Sequence, residues 1–593
     1  MRIIGINWSH PSGACLLENN MIAAAVCEER FSRLKNDKAF PLESIRYCKS
    51  SGNISNEITG VGVTNLTTAY KAQLWQYNLS VEDMIHEQHA VWYPRLYEGK
   101  TVDEALVFKH RWNCKQYPEE YWSEYNPEKE ETFSFDRLKI IGDVVGISPD
   151  RIIPIEHHWC HAYYGYYGSP YRNENKALVI TIDGSGDYGL NATVSIVESG
   201  EMHRIYETSK CVLGRIYSHV TLLLGMKRLE HEYKVMGLAP YGKEKYARPA
   251  YDIFNDVLDI KGIEIDWKNR PKDCYFYFRD KLEGIRFDNI AAGLQMWVED
   301  VLCKWISNIV NETGIHTVIV SGGVSMNIKA MGKVAALKCI DRFFVCGSSS
   351  DDSCPVGAAI GAAIHYGQSK TSIQMDTMYL GPNVEPDDSK TVLAKAENIP
   401  NLIVERNPNN KRIAELLVSG YVIGRCKGRM EFGQRALGNR SLLADPSIAD
   451  VVPRINAMIK NRDFWMPFAP VILDKYVERY LINPKNIQSP HMTIGYETTE
   501  EGWKSMKAAC HSADKSARAQ ILTKNANPDL YDLLECFSKI TGRGALMNTS
   551  FNLHGYPIVN TATEAYEVFM NSELDGLLLD GGLILRPHMK QSK

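Results

Sequence analysis

Apolar and polar positions fall into short blocks from the start of the chain. RIIGIN (2–7) reads as a buried strand and WSHPSG (8–13) as a loop. ACLLE (14–18) and MIAAAVCEE (21–29) then read as a hairpin turning at Asn19-Asn20. Residues 177–207 repeat this plan: ALVITID, the loop GSGDYG, then ATVSIVE and MHRIYE on either side of Ser199-Gly200. Between the copies, residues 66–150 are polar and read as a helical insertion. Its aromatic residues (Tyr70, Trp75, Tyr77, Trp92, Tyr93, Tyr97, Trp112) are assigned mostly to core, with stacking on a ligand ring as the alternative.

The duplicated strand–loop–hairpin unit resembles the actin-like ATPase superfamily, in which two such loops face each other across a cleft. Beyond the second copy, the segment around Lys234 is predicted as helix, turning at Gly237. Residues 290–310 carry helical periodicity and lead into the short apolar strand HTVIVSGG (316–323). Gly322 and Gly323 then precede a predicted helix from Val324, with Asn327 near its start. A strand, a glycine pair and a helix N-terminus form an anion-binding geometry, because backbone N–H groups are left pointing outward. The pattern turns polar and irregular around 368–390, which places a domain boundary at 376/377. The second domain, 377–593, is of α/β type, with strands YVIGRC, APVIL, GALMNTS and GLLLDGGLIL.

Composition adds exclusions. The 593 residues are 44% hydrophobic and 23% charged with a net charge of −4, as expected of an ordinary globular protein larger than one core serves. No block of like charge argues for a nucleic-acid or membrane-surface partner. The N-terminus lacks the basic and apolar regions of a signal peptide, and no apolar run reaches bilayer length. Fourteen cysteines without a CxxC pair fit reduced thiols. A cytoplasmic enzyme is expected.

Two places carry chemistry. In IEHHWCHAYYGYYGSP (155–170), His157 and His161 are four apart and share one helix face. Asp183, and Asp351 or Asp352, end apolar strands and are the carboxylates to complete a divalent-metal site. A hydrogen-bonded structural histidine is the bland reading of either imidazole, but the spacing favours metal. His158 is out of phase, Cys160 is assigned to packing, and the tyrosines to a buried continuation of the helix. His10, in the first loop, is a candidate general base. In the second domain, GRMEFGQRALGNRSLLADP (428–446) sets Arg429, Arg435 and Arg440 among glycines. Lys460, Arg462, Arg518, Asn548, Ser550 and Asn552 extend this cationic, amide-rich set into an anion-binding site.

The ordered motifs GINWSH, EERFSRLKND, HHWCHA, DGSGD, EYKVMGLAPYG, SGGVSMN, GRMEFGQRALGNRS, IKNRD, PFAPV and LMNTSFNLHGYPIV run through nearly the whole chain. With them the chain resembles the O-carbamoyltransferases of the NodU/CmcH type. The resemblance implies a TsaD-like, duplicated actin-like N-terminal domain (1–376) followed by a YrdC-like α/β domain (377–593). The second would make carbamoyladenylate from carbamoyl phosphate and Mg-ATP; the first would pass the carbamoyl group to a hydroxyl or amine of a small natural product. By position, His157, His161, Asp183 and Asp351 would hold the metal, expected to be Fe(II), with Zn and Mn as alternatives. His10 would sit at the acceptor oxygen, and Arg429, Lys460 and Arg518 would be catalytic. Gly184, Lys234, Gly237, Gly322, Gly323, Asn327, Arg435, Arg462, Asn548, Ser550 and Asn552 would contact nucleotide or carbamoyl phosphate. No nucleic-acid or membrane partner is implied, and a homodimer is allowed.

The sequence departs from the family pattern in four places. Pro11 follows His10 where the family has aspartate, and Ser353 replaces a glycine. Met466 replaces an arginine, and DKSARAQ (514–520) brings Lys515 into an altered stretch. These changes motivate one alternative, an adenylate-forming ligase of the same fold with another donor. A non-catalytic nucleotide sensor is the other alternative, against which the retained charged residues argue.

Overall fold

The computed structural model describes residues 1–65, 78–111 and 129–587. The chain divides into two compact units, Met1–Ser32 with Asn36–Asp376, and Arg33–Lys35 with Thr377–Lys593.

The first unit is built on two five-stranded sheets. One is ordered β3 (Met21–Cys27), β2 (Gly13–Glu18), β1 (Arg2–Asn7), β4 (Gly60–Val63), β5 (Ile152–Pro154). Every residue of β1 and β2 is buried, which is why these strands read as unbroken apolar runs. β1 pairs antiparallel with β2, Ile4 opposite Leu16, and parallel with β4, Ile4 opposite Val61. In the other sheet β6 (Lys176–Ile182), β7 (Ala192–Glu198) and β8 (Glu201–Thr208) form the matching meander. A separate hairpin, β9 (Leu258–Lys261) with β10 (Glu264–Trp267), lies outside it. β11 (Thr317–Ser321) and β12 (Arg342–Val345) complete the second sheet in parallel, with Ile180 opposite both Val194 and Val320. Both sheets therefore share one topology, a three-strand meander whose first strand continues into two parallel strands. This is the duplicated actin-like arrangement.

Helix Cys354–His365 packs against both β1 and helix His157–Tyr167. Its Gly357 allows the closest approach: a Cβ there would lie 2.0 Å from the Cys160 carbonyl oxygen. The helix expected from residue 290 runs over Phe287–Thr313 and ends at Gly314, φ 67°.

Three expectations are corrected here. Gly237 is buried inside the helix Glu232–Leu238, not in a turn; packing of its apolar face outweighs its weak propensity. The helix expected from Val324 is a single tight turn over Gly323–Met326, and the α-helix begins at Ile328. Trp92, Tyr93 and Tyr97 are exposed, not core. Tyr93 and Tyr97 stack on each other at 5.0 Å, and Arg95 and Lys272 lie over Trp92 and Tyr97, so ring and cation contacts replace burial. Tyr70, Trp75, Tyr77 and Trp112 lie outside the described residues.

The second unit carries an eight-stranded mixed sheet. Its order is β13 (Ile403–Arg406), β20 (Gly582–Leu585), β19 (Gly576–Leu579), β14 (Ile423–Cys426), β15 (Arg440–Ala444), β18 (Ala545–Ser550), β16 (Ala469–Leu473), β17 (Gln520–Leu522). Helices Asn410–Val418 and Pro528–Thr541 share one core with the sheet through Ile413, Leu417, Leu530, Leu534 and Phe537. Helices Pro386–Glu397 and Ala562–Met570 share another through Val392, Leu393, Tyr566 and Phe569. The end of the predicted anion loop is thus a fully buried strand, β15, beginning at Arg440. Among the described residues no helix is long and apolar enough to cross a membrane.

Candidate metal centre and anion-binding strand ends

Helix His157–Tyr167 starts where Glu156 caps it, its carboxylate accepting from the His158 N–H at 2.6 Å and the Trp159 N–H at 3.3 Å. The His157 N–H is taken separately by Asp187 at 3.0 Å. One turn apart, His157 and His161 face each other with Nε2 atoms 3.0 Å apart, both fully buried. Asp351 Oδ1 lies 3.7 Å from His157 Nε2 and 3.6 Å from His161 Nε2, and Asp183 Oδ2 lies 3.4 Å from His161 Nε2. The structure thus brings these four predicted residues together. Cys354, which the sequence reading passed over, places Sγ 3.9 Å from His161 Nε2 and forms one group of donor atoms with His157, His161 and Asp351, which Asp183 touches through His161. Its only signal was its position two residues after the Asp351-Asp352 pair.

The surroundings aim these groups. His157 Nδ1 donates to Asn65 Oδ1 at 3.0 Å, leaving the Nε2 lone pair directed inward. Asn65 in turn donates to Asn7 Oδ1 at 2.6 Å, and Asn7 donates to the carbonyls of Pro11 and Asp351 at 2.8 and 3.1 Å. His161 Nδ1 lies 3.2 Å from Ser353 Oγ, so the serine that replaces the family glycine reaches the imidazole. The GSGD loop presses against the same rings: a Cβ on Gly186 would lie 2.6 Å from His157 Cδ2.

Charge separates the roles. Burial opposes ionisation of Asp183, yet contact with His161 and the nearby His157 holds its carboxyl well below the usual range. Burial likewise opposes charge on His161, but Cys354, Asp183 and Asp351 raise it well above an ordinary histidine. Burial pushes the Cys354 thiol up to about 12, against the influence of His161, which leaves the carboxylates as the readier anionic donors. Burial, with His157 and His161 nearby, lowers His158 to about 3; its Nδ1 lies 2.7 Å from Thr181 Oγ1. Asp352 is buried against Ser348 and raised to about 7, a carboxyl outside the donor cluster.

This donor set fits a divalent cation of borderline softness. Two nitrogens bound at about 2.1 Å at right angles would lie about 3.0 Å apart, which is the separation of the two Nε2 atoms. His10 sits in the loop after β1, where burial lowers its pKa and Asp351 is the strongest opposing influence.

The glycine turns serve the site differently from the sequence reading. The Gly184 and Gly323 N–H groups both donate to Asp183, each at 2.5 Å, instead of pointing outward to an anion. Gly322, φ 92°, donates to the Ser349 carbonyl. Asn327 caps the helix Ile328–Ala336 through Ala330 N–H and exchanges hydrogen bonds with Gln295. A buried carboxylate and a helix start thus take the groups assigned to nucleotide. Lys234 lies on the short helix that also holds Gly237.

In the second unit, Lys460 is buried and its Nζ donates within a nest of neutral acceptors: Ser550 O, Ser550 Oγ at 3.1 Å, Asn552 Oδ1 at 2.8 Å and Asn552 O at 3.3 Å. Burial, with Arg462 nearby, pushes this ammonium well below its ordinary pKa. Arg462 donates to Thr549 Oγ1 at 3.1 Å and lies 4.8 Å from the Phe468 ring. Asn548 donates to Gln520 Oε1 at 2.8 Å and the Ala436 carbonyl at 3.2 Å. Lys460, Arg462, Ser550 and Asn552 thus meet at the end of β18, beside Asn548. Arg435 and Arg518 are half-buried.

The remaining arginines go elsewhere. Arg429 donates to the Gly381 and Leu380 carbonyls. Arg440, expected among the clamps, is fully buried and donates to the carbonyls of Asn560, Lys427, Gly428 and Asn439. A charge taken from water in this way needs every donor satisfied, so Arg440 holds the strand ends together.

Comparison with known proteins covers both units. A family model described as carbamoyltransferase N-terminus matches residues 2–364, and one described as carbamoyltransferase C-terminus matches 414–586. The chain is 30% identical to the nodulation protein NolNO of Sinorhizobium fredii, over 97% of this chain and 79% of that protein. It is 28% identical to an uncharacterised Synechocystis protein over 99% and 97% of the two chains. With the 3'-hydroxymethylcephem-O-carbamoyltransferase of Streptomyces clavuligerus it shares 30% identity over 57% of this chain and 62% of that one.

Proposed function

The chain belongs to the carbamoyltransferase family, and on that premise we propose that it activates carbamoyl phosphate with ATP and carbamoylates a small natural-product hydroxyl. The observation that carries the transfer half is the convergence of His157, His161, Asp183 and Asp351 from a helix, a strand end and the short turn Asp351–Ser353 of the first unit.

The activation half belongs to the second unit. Water cleaves carbamoyl phosphate to carbamate and phosphate; the carbamate oxygen then attacks the ATP α-phosphorus, forming carbamoyladenylate and expelling pyrophosphate. Lys460 and Arg462, with Arg435 and Arg518, are the cations to hold charge as it moves between phosphate oxygens. The amide and hydroxyl groups of Asn548, Ser550 and Asn552 orient the donor. Lys460, already surrounded by neutral acceptors, is positioned without rearrangement.

In the first unit the acceptor hydroxyl attacks the carbamoyl carbon, the C–O bond to AMP breaks, and AMP leaves. His10 takes the hydroxyl proton; burial keeps it neutral and ready to accept one. A divalent ion held by His157, His161, Asp183 and Asp351, for which Fe(II) is our assignment, would supply a Lewis acid to polarise the carbonyl. Asn65 and Ser353 fix the imidazoles for that role.

Pyrophosphate exchange into ATP with carbamoyl phosphate as donor tests the reading. Exchange is expected with this donor; its absence together with robust exchange using another carboxylate would move the chain to the ligase alternative. His157→Ala with His161→Ala is expected to purify folded and metal-free, and unchanged metal content would contradict the ligand assignment.

A further inference from the structure

Two cysteines share one small apolar cluster beside the metal centre, and their thiols go to different partners. Cys160, Cys354 and Ala358 are fully buried together. A buried thiol is ordinarily a small apolar filler, and Cys160 fits that role: its Sγ lies 3.8 Å from the Ile155 carbonyl of its own segment. Cys354 differs. Its Sγ lies 3.9 Å from His161 Nε2, on the side where the predicted metal ligands converge.

One continuous segment delivers this sulfur. The turn Asp351–Ser353 runs directly into helix Cys354–His365. Asn7 holds the turn by donating to the Asp351 carbonyl at 3.1 Å, and Gly357 seats the helix against the Cys160 carbonyl. Asp351, Ser353 and Cys354 then all reach one imidazole. Asp351 Oδ1 lies 3.6 Å from His161 Nε2, Ser353 Oγ 3.2 Å from Nδ1 and Cys354 Sγ 3.9 Å from Nε2. One donor atom from each of His157, His161, Asp351 and Cys354 lies within 4.8 Å of every other. A nitrogen bound at about 2.1 Å and a sulfur bound at about 2.3 Å to one ion are about 3.6 Å apart at a tetrahedral angle and about 4.4 Å apart when opposite. The observed 3.9 Å falls inside that range, so both atoms reach one ion from where they stand.

We propose that Cys354 is a further ligand of the metal, binding through Sγ as a thiolate beside His157, His161 and the carboxylates, and that it tunes the centre to a thiophilic ion. The inference rests on the metal-centre reading above. When the ion binds, the S–H bond breaks, a sulfur–metal bond forms and the proton passes to solvent. Imidazole and carboxylate donors accept many divalent ions. A thiolate is softer and selects Zn(II), or Fe(II), over Mn(II), which carboxylate and water suit better. Cys354 thus decides among ions that two imidazoles and two carboxylates leave open.

Cobalt(II), loaded into the metal-free full-length protein, is the probe. A thiolate ligand gives cobalt an intense near-ultraviolet sulfur-to-metal charge-transfer band that nitrogen and oxygen ligands do not. The band is expected in the unaltered protein and in Cys160→Ala. It is expected to vanish in Cys354→Ser while the visible cobalt bands persist. In Cys354→Ser the ratio of Zn(II) to Mn(II) affinity, measured by chelator competition, is expected to fall at least about tenfold. X-ray absorption of the zinc-loaded unaltered protein covers the case in which Cys354→Ser fails to fold, and a sulfur neighbour is expected at about 2.3 Å. Four results overturn Cys354 as a ligand while leaving the metal centre in place: bound cobalt without the band, a band that survives in Cys354→Ser or is lost in Cys160→Ala, an unchanged affinity ratio, or zinc with only nitrogen and oxygen neighbours. No cobalt bound by the unaltered protein overturns the metal-centre reading, and the inference with it.

Discussion

At His157 a metal ligand needs a lone pair of fixed direction, and Asn65 supplies the constraint by accepting from Nδ1 at 3.0 Å. Removing such an outer partner typically weakens metal binding about 10- to 100-fold. Asn65→Leu is therefore expected to retain the fold and to lose metal to a competing chelator at about 10- to 100-fold lower chelator activity; an unchanged titration would remove Asn65 from the site. The histidine spacing is legible in sequence because it reflects the local helical repeat. Asn65 and Asn7 are not, since their roles depend on contacts across 92 and 58 residues. Arg440 and Arg435 show the same limit. Both look like clamps in a glycine-rich loop, and only burial against backbone carbonyls sets Arg440 apart.

Helices and strands hold these residues through close contact. Helix Cys354–His365 touches helix His157–Tyr167 at Gly357, where any side chain meets the Cys160 carbonyl. Gly357→Val is expected to lower stability by about 1–3 kcal/mol as the helices separate, read as a lower urea midpoint together with reduced metal content. An unchanged midpoint would show that the contact yields freely. In the second unit, Asp529 starts helix Pro528–Thr541 and meets Arg425 at 2.5 Å and Lys427 at 3.0 Å. Burial opposes its charge, but Arg425 and Lys427 hold it at about 2. A carboxyl depressed in the fold contributes stability above its unfolded pKa of about 3.9, lost as pH falls toward the folded value. With the side chain 46% exposed, solvent screening limits that contribution to about 1 kcal/mol. Asp529→Asn should abolish this part of the acid destabilisation between about pH 4 and pH 2, measured by urea unfolding across that range.

For the whole molecule, the chain forms two compact units, and the proposed function gives one chemistry to each, so the two should fail separately. Chelation of the metal is expected to abolish acceptor carbamoylation while pyrophosphate exchange continues. Lys460→Met should lower exchange by at least about a hundredfold, the scale of losing a preorganised charge contact, with metal content unchanged. Loss of both activities in either experiment would contradict this division of labour.

The sequence by itself determined the duplicated strand–loop–hairpin plan, the second α/β unit and the metal-ready spacing of His157 and His161. Each is written in local periodicity, or in small residues where the chain must turn. Tertiary structure alone decided which strand ends meet. It joined Asp183, Asp351 and Cys354 to the histidine pair and turned the Gly184 and Gly323 amides onto Asp183. These outcomes depend on burial and on contacts between distant segments, where a group's partners are set by packing and not by its neighbours along the chain.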